Sequence, residues 1–261
     1  MTDATANNFL ADLFNLNGQV AVVTGASRGL GQSMAVALGR AGALVCLVGR
    51  QDNLETTRNR LEEHGVEYTE VICQLTDSAC LSQIVQECLE RWGRLDILVN
   101  NAGTFLRKPA VEWSLEEWDQ VLDVNLRAVF DLCRQAGAVM LEQGRGRIIN
   151  IASVLAFQGG ITVPAYAASR HGVIGLTRAL GNEWASKGVN VNAIAPGYMS
   201  TDQNATLFED PVRSAELMRR IPAGRWGKPD ELDGLCLYLA SDASAYVHGQ
   251  VFVVDGGWLS R

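Results

Sequence analysis

A chain of 261 residues with 48% hydrophobic content can bury a large core, and α/β sheets of this size form a single domain. The net charge of −7 and pI of about 5.0, with no basic block beyond isolated pairs such as Arg107-Lys108 and Arg219-Arg220, lack the electrostatic footprint that binding a phosphate backbone requires, so nucleic acid is not an expected partner. Six cysteines without a C-x-x-C pair, three histidines away from metal-ligand spacing, a start without a basic-then-apolar signal and no apolar run near the ~18 residues of a membrane span predict buried free thiols, no metal site, no membrane contact and a cytoplasmic location.

After residues 1–15, read as an N-terminal extension, one domain is expected over 16–261. Short β-branched runs read as strands: Gln19–Thr24, Leu44–Val48, Glu70–Cys73, Ile97–Val99, Arg147–Ile151, Asn190–Ile194 and Val251–Val254. Between them lie helical patterns such as Leu81, Ile84, Val85, Cys88 and Leu89. Strict alternation predicts a doubly wound α/β fold, because right-handed crossovers place a helix between successive parallel strands. The polar stretch from Gly197 to Pro211 reads either as a mobile lid over a site or as an ordinary surface loop.

The first strand runs into Thr24-Gly25-Ala26-Ser27-Arg28-Gly29-Leu30-Gly31 and then a helix. Glycines at such a turn let the backbone approach a pyrophosphate, which the free N–H groups of the helix N-terminus stabilise. Gly25, Ser27, Arg28, Gly29, Leu30 and Gly31 are therefore candidate cofactor contacts. The second strand ends in Val48-Gly49-Arg50, where an NAD-specific site would carry an acid. Arg50 and Arg28 can instead pair with a 2′-phosphate, which favours NADP(H), with NAD(H) as the alternative.

In Tyr166-Ala167-Ala168-Ser169-Arg170, a phenol and a guanidinium stand four residues apart on one helical face. A fixed cation favours the phenolate, whose ordinary pKa near 10 makes tyrosine a poor acid/base group at neutral pH.

With the glycine turn, Asn100-Asn101-Ala102-Gly103, Ser153, and Tyr166 thirteen residues later, the chain from Leu16 to Arg261 resembles a short-chain dehydrogenase/reductase. The resemblance implies about seven parallel strands in one Rossmann-type domain, a nicotinamide cofactor and a homotetramer. It implies that Ser153 binds the substrate carbonyl oxygen, that Tyr166 donates the proton in reduction and accepts it in oxidation, and that Asn125 holds a proton-relay water. It also implies that Gln74, Leu75 and the Asn101–Gly103 segment with Ala102 border the adenosine half, and Pro196, Gly197 and Thr201 the nicotinamide end. The family pattern has lysine where this chain has Arg170, and an acid where it has Gln74. Arginine can hold a phenolate and bond ribose hydroxyls, yet it cannot release a proton.

Segments including Thr104-Phe105-Leu106-Arg107, Ala156-Phe157-Gln158-Gly159-Gly160, Asn182-Glu183-Trp184-Ala185, Arg220-Ile221-Pro222-Ala223-Gly224-Arg225-Trp226-Gly227 and Asp255-Gly256-Gly257-Trp258 resemble the 2-dehydro-3-deoxy-D-gluconate 5-dehydrogenase and sugar-acid reductase branch of that family. This implies an NAD(P)-dependent oxidoreductase of carbohydrate metabolism that interconverts a ketone and a secondary alcohol on a keto sugar acid of the deoxy-hexulosonate or uronate type. Arg107 reads either as a carboxylate clamp or as a surface or interface residue, and Gln158 as a partner for a sugar hydroxyl. Two alternatives stay open: a dinucleotide-binding protein with catalysis weakened by Arg170, and a gluconate 5-dehydrogenase-like or broad carbonyl reductase.

Overall fold

The computed structural model describes residues 4–51, 53–205, 207 and 210–261; Met1, Thr2 and Asp3 of the expected extension lie outside the described residues. Strands β1 (Val20–Thr24), β2 (Leu44–Gly49), β3 (Tyr68–Ile72), β4 (Ile97–Asn100), β5 (Gly146–Ile151), β6 (Val189–Pro196) and β7 (Val251–Val254) form one seven-stranded sheet in the order β3-β2-β1-β4-β5-β6-β7. Every pairing is parallel, with Val22 of β1 level with Cys46 of β2 on one side and Leu98 of β4 on the other.

Side chains alternate across β1 with the strand period of two. Val20 and Val22 pack with Leu81 and Ile84 of α4 (Ser78–Trp92), Leu132 of α6 (Ala128–Gln143) and Val173 of α7 (Pro164–Trp184). Ala21 and Val23 face the other way, onto Met34 and Leu38 of α2 (Gly29–Arg40) and Cys236 and Leu239 of α9 (Asp233–Ala240). Helices thus cover both faces, which is why the central strands are continuous apolar runs.

The chain reverses its direction across the sheet between β1 and β4, and the turns after these strands open a crevice at the strands' C-terminal ends. Helix α1 (Ala4–Phe14) precedes β1, and α3 (Glu55–Glu62) lies between β2 and β3. Helix α5 (Leu115–Leu122) begins with a capping box between Ser114 and Glu117 and passes through a π turn at Asp123–Arg127 into α6. Helix α8 (Pro211–Arg220) is capped by Asp210, whose carboxylate accepts from the Val212 and Arg213 N–H groups at 3.0 Å.

Three expectations need correction. Strand β3 starts at Tyr68, not Glu70, and ends before Cys73; as a half-buried edge strand it has little apolar alternation to mark its bounds. The stretch 197–211 is not plain loop: Met199 bridges to Gly227, Asp202–Asn204 form a 3-10 turn and residues 205 and 207 are helical, while Thr206, Phe208 and Glu209 lie outside the described residues. Turns this short bury too few side chains to show periodicity. The cysteines are all free, but Cys80 is only half-buried. Among the described residues no helix is long and apolar enough to cross a membrane.

Candidate functional site

The crevice holds a cavity of about 1350 Å³ lined by the glycine turn, Arg50, Gln74, Leu75, Asn101–Gly103, Ser153, Tyr166, Arg170, Pro196, Gly197, Thr201, Arg107 and Gln158. Nearly all the residues expected at the site therefore meet in one place. Gly31 and Asn125 are the exceptions: neither lines the cavity.

Gly31 acts from behind the wall. A Cβ there would collide with the Gly25 carbonyl oxygen and with Asn101 Nδ2, so only glycine lets α2 come this close to the turn. Asn101 Nδ2 donates to the carbonyls of Thr24 (2.9 Å) and Gly25 (3.2 Å), and Thr24 Oγ1 accepts from the N–H groups of Asn101 and Ala102, both at 3.0 Å. The two turns are thereby tied together across the switch point, a structural duty for Asn101 that its motif did not reveal. Arg28, the N-cap of α2, makes no side-chain cap, so the first N–H groups of that helix stay available to an anion. These features fit a dinucleotide pyrophosphate. Arg28 Nη1 donates to Asp202 at 3.3 Å in an exposed ion pair, whereas Arg50 is exposed and enters no ion pair among the described residues. Among the described residues Arg50 is thus the unpaired cation at this end of the cavity.

Ser153 is buried and caps the 3-10 turn Val154–Ala156, its Oγ accepting from the Leu155 N–H at 3.1 Å. That bond uses a lone pair and leaves the hydroxyl proton free to be donated. Tyr166 sits in the first turn of α7, which opens with Pro164. Its ring is met by the Phe105 edge, with centroids 6.1 Å apart, and by the Arg170 guanidinium, whose Cζ is 5.0 Å from the ring centroid.

Arg170 is buried, and Nη1 donates to the Ile151 carbonyl at the end of β5 at 2.8 Å. Nη2 lies where a side chain on residue 103 would be, so Gly103 makes room for the arginine. Nε is buried without a partner among the described residues.

Asn125 is fully buried in the π turn, a feature that often marks functional segments. Its Oδ1 accepts from the Thr104 N–H (2.8 Å), and Nδ2 donates to the Thr104 carbonyl (2.8 Å) and to Ser169 Oγ (3.2 Å); Ser169 in turn donates to the Tyr166 carbonyl at 2.7 Å. Both amide protons are engaged, so this side chain can offer a water only the remaining lone pair of Oδ1. It braces the Gly103–Phe105 segment against the turn of α7 that carries Tyr166.

Sequence reasoning missed the far end of the cavity, lined by Tyr198, Arg213, Arg220 and Trp258. The Trp258 indole Nε1 donates to Gln158 Oε1 at 2.9 Å, so the Gln158 carbonyl already has a partner and its amide N–H groups are what remain for a hydroxyl. Tyr198 packs edge-on to Trp258, centroids 4.7 Å apart, and to Trp226 at 5.7 Å. Burial pushes the Tyr198 phenol up, against the pull of the Arg220, Arg213 and Arg107 guanidinium groups. The pairs Arg107-Lys108 and Arg219-Arg220, isolated in sequence, thus send Arg107 and Arg220 into one cavity, while Lys108 pairs with Glu117 at 2.9 Å.

Comparisons with known proteins identify the family and its fold. The family model described as Enoyl-(Acyl carrier protein) reductase, of the short-chain type, matches residues 25–259. The 2-dehydro-3-deoxy-D-gluconate 5-dehydrogenase of Bacillus subtilis (strain 168) is 46% identical over 253 residues, 97% of this chain and 99% of its own. The enzyme of the same name from Escherichia coli (strain K12) is 46% identical over 249 residues, covering 95% and 98%. The crystal structure of a gluconate 5-dehydrogenase from Burkholderia cenocepacia J2315, in complex with NADP and tartrate, superposes with a TM-score of 0.92 at 37% identity, covering 97% of this chain and 99% of that one.

Proposed function

Because the chain belongs to the short-chain dehydrogenase/reductase family, we propose that it is an NADP(H)-preferring oxidoreductase interconverting a ketone and a secondary alcohol on a small keto sugar acid. The observation that carries this reading is a single cavity with Ser153 and Tyr166 among its lining and, at both ends, arginines that form no ion pair among the described residues. The names of the relatives, and the NADP bound to the Burkholderia enzyme, support the substrate class and the cofactor.

When bound, a nicotinamide cofactor would supply or take up the hydride at the reacting carbon. This chain's residues do the rest. The glycine turn and the α2 N-terminus would hold the pyrophosphate, Arg50 and Arg28 the 2′-phosphate, Gln74, Leu75 and Asn101–Gly103 the adenosine half, and Pro196, Gly197 and Thr201 the nicotinamide end. Ser153, with its proton free, donates to the substrate oxygen as charge gathers there. Tyr166 gives that oxygen its proton in reduction and takes it back in oxidation. Arg170 keeps a positive charge over the phenol ring, and Asn125 keeps the ring's helical turn in register with Gly103–Phe105.

A second reading, dinucleotide binding with weak turnover, is favoured by one observation: Arg170 fills the lysine position with Nη1 engaged on Ile151 and Nε buried without a partner among the described residues. We take residues 16–261 as the catalytic unit, with 1–15 as an extension, acting as a homotetramer in the cytoplasm without nucleic-acid or membrane partners. The acidic net charge and the exposed apolar Val111, Leu115 and Phe130 support that picture.

A panel of 2-dehydro-3-deoxy-D-gluconate, D-gluconate, 5-keto-D-gluconate and a neutral diketone, run in the matching direction with both cofactors, tests the proposal. It predicts turnover of a sugar acid with higher kcat/KM for the phosphorylated cofactor. Cofactor binding without turnover, restored by Arg170→Lys, would establish the second reading instead.

A further inference from the structure

The end of the cavity remote from the glycine turn holds a cation arranged as if to receive something. The Arg220 guanidinium lies on Trp258, with Cζ 4.0 Å from the ring centroid. It is exposed to the cavity and has no carboxylate partner among the described residues. The neighbouring Arg213, by contrast, is held by Glu216 at 3.0 Å. Trp258 is buried and fixed through its bond to Gln158 and its contact with Tyr198. An arginine side chain at the end of a surface helix ordinarily extends into water; stacked on an immobile indole, this one has already lost much of the rotamer freedom that binding would remove. Its planar fork keeps N–H donors that have no hydrogen-bond partner among the described residues, a geometry that matches a carboxylate.

We propose that Arg220, seated on Trp258, receives the substrate's carboxylate, with Arg107 supplying the second positive charge at the same end of the cavity. This rests on the reading of the substrate as a sugar acid, and it shifts the main clamp from Arg107 to Arg220. Arg107 Cζ is 5.3 Å from the Phe105 ring centroid, a looser seat than the one Trp258 provides. The carboxylate keeps its charge throughout hydride transfer, so its contact with Arg220 is as strong in the ground state as in the transition state. Such uniform binding sets KM and leaves kcat nearly alone.

The test compares 2-dehydro-3-deoxy-D-gluconate with its neutral C1 amide, for the wild type and for Arg220→Met, which keeps the aliphatic stem on the indole. Loss of a charge-assisted hydrogen bond predicts a KM for the acid raised about 10- to 10²-fold, kcat within about twofold, and an unchanged KM for the amide. Arg220→Lys, which keeps charge without the fork, should fall between. Tartrate should inhibit amide turnover by the wild type and much less by Arg220→Met. A wild type that fails to turn over the acid, or does not prefer it to the amide, would remove the sugar-acid reading and this inference with it. A wild-type preference that survives in Arg220→Met would overturn the Arg220 assignment alone. Equal KM increases for acid and amide, or a variant that does not fold where Arg220→Lys restores acid and amide alike, would show that Arg220 shapes the pocket instead.

Discussion

Replacing Asn125 with alanine separates a brace from a participant in proton transfer. The substitution takes the acceptor from the Thr104 N–H and the donors from the Thr104 carbonyl and Ser169 Oγ, three bonds of 2.8, 2.8 and 3.2 Å. Thr104 is half-buried, so water recovers part of the loss and each group is assigned the low end of the penalty, about 1 kcal/mol. The total of about 3 kcal/mol is roughly a 10²-fold change in the folded-to-unfolded ratio, or a fall in Tm of about 6–12 °C for a chain near this size. Urea unfolding at unchanged slope gives the stability, and initial rates on the same samples give kcat/KM. Asn125→Asp should do no better, because its second carboxylate oxygen would face the Thr104 carbonyl. A loss below about 1 kcal/mol accompanied by a collapse of kcat would refute the bracing argument and return Asn125 to the proton path.

Three further predictions concern Arg170 and the cysteines. Arg170→Lys removes the unpartnered Nε and installs a group able to pass a proton, so kcat should rise, by up to about 10²-fold, with cofactor affinity within a few-fold by NADPH fluorescence; an unchanged kcat would mean that the guanidinium does everything the step needs. Burial pushes the Cys133 thiol up to about 12 and also raises the thiols of Cys73 and Cys236, while that of Cys46 is raised by a hydrogen bond with Cys88 and then by burial. The unfolded chain therefore releases protons above about pH 8.5 that the folded chain keeps, and urea stability should fall as pH rises past that value. In the native state a thiol reagent should modify the half-buried Cys80 first; fast loss of several thiols before unfolding would contradict the burial described here.

What was legible in the sequence was local. The glycine turn and the Tyr166–Arg170 pair are read from spacing within one turn or one helix, Ser153 from the family resemblance, and the structure brings them to one cavity. The sheet was legible because its central strands, buried on both faces, are unbroken apolar runs. The edge strand Tyr68–Ile72 blurred because it is only half-buried. The π turn at Asn125 leaves no side-chain signature, since it is a change in main-chain pairing. Arg220 looked like half of an ordinary basic pair because its significance lies in Trp258, which only folding brings beneath it. Gln158 was read as free for substrate for the same reason: its partner is that same distant indole.

The central claim is that the Tyr166 hydroxyl moves the proton while hydride passes to or from the adjoining carbon. Tyr166→Phe keeps the ring between Phe105 and Arg170 and removes only that hydroxyl, so NADPH should bind as before while turnover of the best panel substrate, at saturating concentrations of both ligands, falls on the order of 10²-fold or more. Turnover undiminished in that variant would contradict the account.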